Sequence, residues 1–205
     1  MGLSLWIVPD EKDAVKLEHL MRLCQNDPSI SLTSASYPNF YPHITLASFP
    51  LSMGNDLDSI GFCIQKSGAP VRCTFASVDI GTHYFRSVYV AIKVTPDLVS
   101  LHERVHKELG TEPRTPAFPH MSLCYIGDID AAAGERERYH EELKKNGKIK
   151  MTSQDEDEKT VCLNCGSSGT IDWMDNFEAH EVWAVRCEGP VEGWAILRKF
   201  SLTKI

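Results

Sequence analysis

No stretch of this 205-residue chain is long and apolar enough to cross a bilayer. The first apolar run, LSLWIVP, is short, begins at residue 3 and has no basic flank, so it is read as an opening β-strand and not as a signal peptide. Basic side chains are in deficit: 21 Lys and Arg stand against 28 Asp and Glu, for a net charge of -7. That balance argues against loose binding to long nucleic acid, which relies on many cationic contacts to phosphates. It leaves room for a small anionic ligand held by a few local donors. Neither common glycine-rich phosphate loop occurs, which weighs against a nucleoside triphosphate. The seven cysteines are odd in number and follow no framework spacing, so reduced thiols and a cytoplasmic protein are expected. No association with a membrane is expected.

What is present suffices for a core. The chain is 42% hydrophobic and 24% charged, and its length suits one large domain or two small lobes. After the strand at 3–8, Pro9 and Asp10 signal a helix over 10–25, with Leu17, Leu20, Met21 and Cys24 at helical spacing. Residues 30–36 read as β-like, 43–49 as a strand and 54–66 as a helix. VRCTFASVDIG and SVYVAIKV are strand-like, with GTHYFR as the turn between them. Pro96 opens a helix over 96–109 that Gly110 ends. A strand at 120–126, a helix over 131–145 and a closing hairpin of EVWAVRC and WAILRKFSL follow. Residues 146–177, with QDEDEK and CGSSGT, read as an insertion or mobile loop inside a single domain spanning 1–205. The order of elements predicts an α+β fold with two sheet-based lobes, not a doubly wound parallel sheet.

Two passages far apart in the chain match position by position. Tyr41-Pro42-His43-Ile44-Thr45-Leu46 lines up with Phe118-Pro119-His120-Met121-Ser122-Leu123: aromatic, proline, histidine, apolar, hydroxyl, apolar. On a strand, side chains alternate between faces. His43 and Thr45 therefore share one face while Ile44 and Leu46 anchor the other, and His120 with Ser122 repeat the arrangement. One such stretch is most simply a half-exposed polar strand face. Two are harder to explain by packing alone, because duplicated packing would not keep matching polar pairs on the outward side.

Two imidazoles can divide acid and base work near neutral pH, one taking a proton from water and the other giving one to a leaving oxygen. Two hydroxyls can hold the non-bridging oxygens of a phosphoryl centre. Neither stretch contains Lys or Arg, which suits a singly charged phosphodiester better than a monoester. No carboxylate cluster accompanies the histidines, so a metal-dependent phosphatase is not expected.

The paired stretches resemble the two signature motifs of the two-histidine phosphoesterase superfamily. The second, PHMSLCY, with its serine and its tyrosine five residues after the histidine, is most similar to the plant and fungal cyclic phosphodiesterases. A separation of about eighty residues between the histidines also suits that branch. The resemblance implies a bilobal α+β fold, with two antiparallel β-sheets lining a central cleft, helices outside and a pseudo-twofold axis through the cleft. It implies His43 and His120 as the catalytic pair, Thr45 and Ser122 as phosphate-binding hydroxyls, and Tyr125 lining the phosphate pocket. It further implies hydrolysis of ADP-ribose 1'',2''-cyclic phosphate, a by-product of tRNA splicing, and of nucleoside 2',3'-cyclic phosphates to 2'-phosphates. No metal or organic cofactor is implied, the partner is a small cyclic nucleotide, and a monomer is expected. One assignment has His120 activate water and His43 protonate the leaving oxygen; the reverse is physically possible.

Tyr41 and Phe118, flanking the motifs, are candidates for the cleft rim, where their faces could stack on a base. Trp6, Trp183 and Trp194 are expected in strands and in the core. His102 and His106, four apart on a helix, are expected on its solvated face, and His83 in a rim or in packing. Cys162 and Cys165 form a C-x-x-C that His180 and Cys187 could complete as a zinc site, although ordinary thiols are the simpler reading. The competing functions are an RNA-end-processing relative in the same superfamily, a non-catalytic nucleotide-binding module, and a zinc-stabilised interaction domain.

Overall fold

The structure is a computed structural model that describes residues 2–23, 32–52, 57–65, 67–113, 118–152, 160–167 and 169–203. Eight strands form one antiparallel sheet in the order β11-β10-β1-β2-β5-β4-β3-β9. These are β1 (Leu3–Val8), β2 (Ile44–Phe49), β3 (Val71–His83), β4 (Arg86–Ile92), β5 (His120–Cys124), β9 (Asn176–Ala179), β10 (Glu181–Arg186) and β11 (Ala195–Ser201). The two lobes expected from the sequence are the two four-stranded halves of this sheet. They meet where β2 lies beside β5, at the pair Ile44 and Met121.

The helices pack their apolar stripes on the sheet. α1 (Glu11–Met21) contacts β5, α3 (Pro96–Glu108) contacts β2, and α2 (Leu57–Gln65) contacts α3 and β11. Asp10 caps α1 by accepting from the Asp13 N–H at 2.8 Å, and Thr95 caps α3 with Pro96 in its first turn, as the helix-start signals predict. The helix expected over 131–145 is two helices, α4 (Asp128–Ala132) and α5 (Glu135–Lys145). Gly134 separates them at φ 88°, a conformation that breaks a right-handed helix. α5 rests on β3 and β4, burying Tyr139 and Leu143.

Two expectations change. Residues 32–36 are not a strand, because their polar groups bond to a helix instead of a ladder: the Thr33 N–H, the Thr33 hydroxyl and the Ser36 hydroxyl all donate to Asp130 of α4. In the region read as an insertion, β6 (Ile149–Met151), β7 (Val161–Asn164) and β8 (Trp173–Met174) form a three-stranded sheet. Val161, Leu163 and Cys165 alternate inward from it and join the main core. Cys24, residues 30–31, 53–56, 66 and 114–117, and the charge run over 153–159 lie outside the described residues.

Candidate active site

The two motif strands are neighbours. With Ile44 opposite Met121 in an antiparallel pair, His43 comes level with Ser122 and Thr45 with His120. A β-bulge interrupts each strand at the same motif position. β1 pairs Leu5 with Ala47 and then Trp6 with Thr45, skipping Leu46. β4 pairs Val88 with Cys124 and then Tyr89 with Ser122, skipping Leu123. Each bulge sends two consecutive apolar residues, Leu46 with Ala47 and Leu123 with Cys124, into the buried side. The histidine and hydroxyl of each motif remain on the other face, as alternation predicts.

That face borders a cavity of about 470 Å³ whose lining includes His43, Thr45, His120, Ser122 and Tyr125 together. The volume suits a small organic ligand. His43 is 7% exposed and reaches solvent through this cavity. Its Nδ1–H donates to the Tyr41 carbonyl at 2.7 Å; a carbonyl can only accept, so Nδ1 carries the proton and Nε2 holds the lone pair. Burial pushes the His43 pKa down from 6.5 to about 4, the Tyr41 carbonyl opposes this, and a charge on His120 lowers it further. His43 is thus neutral at pH 7, with an acceptor nitrogen available.

Ser122 donates its hydroxyl proton to the Phe85 carbonyl at 2.7 Å, tying the second motif to the β3–β4 turn. Tyr125 stacks on Phe40 at 4.0 Å, and burial raises its phenol pKa, so it stays protonated. The loop carrying Phe40 and Tyr41 into β2 is held by the bonds to Asp130, by the Tyr37 N–H on the Tyr125 carbonyl, and by the Tyr37 hydroxyl on Glu135.

Several placements differ from the sequence reading. Tyr41 and Phe118 are not among the residues lining the cavity: Tyr41 packs against Trp183 at 4.5 Å, and Phe118 stacks on His102 at 4.3 Å. His102 is half-buried there, and His106 is buried and bonded through Nδ1 to the Thr111 hydroxyl, so neither lies on a solvated helix face. Trp6 is buried with Val8, Trp183, Val185 and Cys187, as expected, and also lines the cavity; Trp194 is half-buried against that cluster, lines the cavity too and is not in a strand. Trp6 lies flat on His43, with ring centroids 3.7 Å apart and planes 11° apart, while Trp194 follows a 3-10 turn at 191–193 before β11. His83, Phe85 and Arg86 of the β3–β4 turn also line the cavity. Arg86 supplies a cation that neither motif contains. Ser4 and Trp6, two apart in β1, share one face of the strand, and a serine on that face is the one sign that it is not purely core; the turn residues offer only their aromatic and basic character.

The cysteines do not converge. Cys165 belongs to the core beside β7 and Cys187 to the cavity wall, and burial pushes both thiols up to about 12. Among the described residues no group of three His, Cys, Asp or Glu is placed to hold a metal, and no helix is long and apolar enough to cross a membrane.

The whole chain is similar to known proteins. It is 24% identical to the "2',3'-cyclic-nucleotide 3'-phosphodiesterase" of Yarrowia lipolytica, over 96% of this chain and 98% of that one. It is 24% identical to the "Cyclic phosphodiesterase" of Arabidopsis thaliana over 60% of this chain and 64% of that one. Its fold matches E. coli LigT in apo form and LigT complexed with 3'-AMP, with TM-scores of 0.54 and 0.55 at 12% and 13% identity, over 99% of this chain and 98% of those. The model of the cyclic phosphodiesterase-like protein family matches residues 1–202, and with both of its histidine strands facing one cavity the chain belongs to that family.

Proposed function

We propose that the protein hydrolyses cyclic phosphodiesters of small nucleotides, with His43 and His120 as its acid–base pair. One observation carries the reading: both imidazoles and both hydroxyls of the duplicated motif line a single cavity. The neutral His43, its lone pair on Nε2, suits the base. It takes a proton from water as the water oxygen bonds to phosphorus. His120 gives a proton to the sugar oxygen as the ring P–O bond breaks, so the cyclic diester becomes a monoester. A proton then returns from His43 to His120 through solvent. This order is the reverse of the assignment first drawn from the motifs, and the burial of His43 is the reason.

Thr45, Ser122 and Arg86 would hold the non-bridging oxygens. Ser122 must release the Phe85 carbonyl to donate to one of them. Phe85 and Trp194, with rings 5.8 Å apart, offer flat faces for a base, and the Trp194 indole N–H has no protein acceptor among the described residues. We propose ADP-ribose 1'',2''-cyclic phosphate and nucleoside 2',3'-cyclic phosphates as substrates, the latter giving 2'-phosphates, in a cytoplasmic monomer that serves the metabolism of tRNA-splicing by-products.

Assays of these substrates, in the presence of a chelator, test the reading. Turnover is expected in the parent protein, with losses of about 10²–10⁴-fold in His43→Ala and in His120→Ala. Near-parental turnover in either variant, or action on oligonucleotides alone, would overturn it.

A further inference from the structure

The mechanism asks His43 to accept a proton inside a wall that disfavours charge. Burial works against the imidazolium, and the Tyr41 carbonyl bonds only to the Nδ1 side of the ring. What lies against the imidazole face is Trp6, at 3.7 Å and nearly parallel. The strands put it there. The bulge at Leu46 sets Thr45 opposite Trp6, on the cavity side. The indole is itself fixed, because its Nε1–H donates to the Ser4 hydroxyl at 3.0 Å and Trp194 leans on it at 5.8 Å.

We propose that Trp6 is a positioning residue for the acid–base step, fixing the plane of the His43 imidazole and lending its π face to the imidazolium that forms. This rests on the function proposed above. A cation within about 6 Å of an indole centroid is attracted to the ring's negative face, most strongly where water is excluded. The same wall therefore supplies both a cost to charge and a partial offset. It also makes the two imidazoles unequal. The bulge at Leu123 puts Tyr89 opposite Ser122, the register position that Trp6 holds opposite Thr45. Tyr89 meets His120 edge-on, however, at 5.4 Å and 74°. Two motifs alike in sequence thus carry histidines with different support, one on a flat aromatic floor.

The test combines NMR of the His43 ring with kinetics on a nucleoside 2',3'-cyclic phosphate, in Trp6→Phe and Trp6→Leu. In the parent protein the carbon-bound His43 protons should be shifted upfield by the indole ring current. In Trp6→Leu that shift should vanish, His43 should titrate at a lower pH, and kcat should fall about tenfold with KM little changed. Trp6→Phe should recover most of kcat. Absence of the upfield shift in the parent overturns the proposal without any variant having to fold. So does a folded Trp6→Leu with parental kcat and titration, or a Trp6→Phe no better than Trp6→Leu. Parental turnover in His43→Ala would instead defeat the acid–base reading, while the ring-current shift still reports on the Trp6 contact.

Discussion

Ile44 of β2 stands opposite Met121 of β5, and through this pair the two halves of the sheet are joined. Both side chains are fully buried, so the seam is sealed on the core side. On the other side, the residues before and after each of them are the two histidines and two hydroxyls of the motifs. The convergence of His43, Thr45, His120 and Ser122 on one cavity is thus a direct product of strand register.

The pH dependence should follow from His43. As the base it must be unprotonated, so kcat/KM should rise with pH through about 4, well below the ordinary imidazole value of 6.5. An acid limb near 6.5 would remove His43 from that role. Stability carries the same signature, because the folded pKa lies below the unfolded one. The contribution is whole above 6.5, declines as pH falls and is gone below about 4, a loss of about 3 kcal/mol. Urea melts at pH 7 and pH 4 should show it, and His43→Ala should flatten the difference.

Ser122→Ala removes a donor from both the Phe85 carbonyl and the phosphate. A loss of about 10²-fold in turnover and about 1 kcal/mol in stability is expected. Ser122→Thr should restore most of the activity, since Thr45 fills the matching place in the first motif. A threonine variant as impaired as alanine would argue that the serine acts only in packing.

Phe85→Ala and Trp194→Ala should raise KM for nucleoside cyclic phosphates about tenfold with kcat largely kept, as expected for loss of a stacking face. A cyclic phosphate of a sugar without a base should be indifferent to both changes. Equal losses on both substrates would assign these rings to packing.

Asp130→Ala frees Thr33 and Ser36 and should cost about 2 kcal/mol, or roughly 6 °C in Tm. Burial pushes the Asp130 pKa up, but the bonds from Ser36 and Thr33 outweigh it and leave the carboxyl below 3.8. Its contribution is therefore complete above 3.8 and disappears as acid titrates the folded value beneath it. Thermal melts across that range should be flatter in Asp130→Ala.

Much of this is legible in the amino-acid sequence. The strands β3, β4 and β10 announce themselves by β-branched and aromatic runs, and β2 and β5 by the repeated motif they carry. What was hidden depends on contacts between distant segments. Residues 32–36 look extended, yet a single carboxylate almost a hundred positions later claims their donors. The alternation of VCLNC is a strand signal that the neighbouring charge run and CGSSGT obscured. His106 is expected on a solvated helix face but is buried, with the rings of Phe49 and His102 beside it and the Thr111 hydroxyl on its Nδ1. The cavity's aromatic wall comes from β1, the β3–β4 turn, the residue after β5 and the segment before β11, four places far apart along the chain.

The position of β1 between β2 and β10 bears on how the enzyme comes into being. The strand that backs His43, at residues 3–8, takes one of its partners from residues 181–186. Such remote pairing is slow to form, because a long loop must close before its contacts stabilise it. Hydrolytic competence should therefore appear late in folding, together with this pairing and not before it.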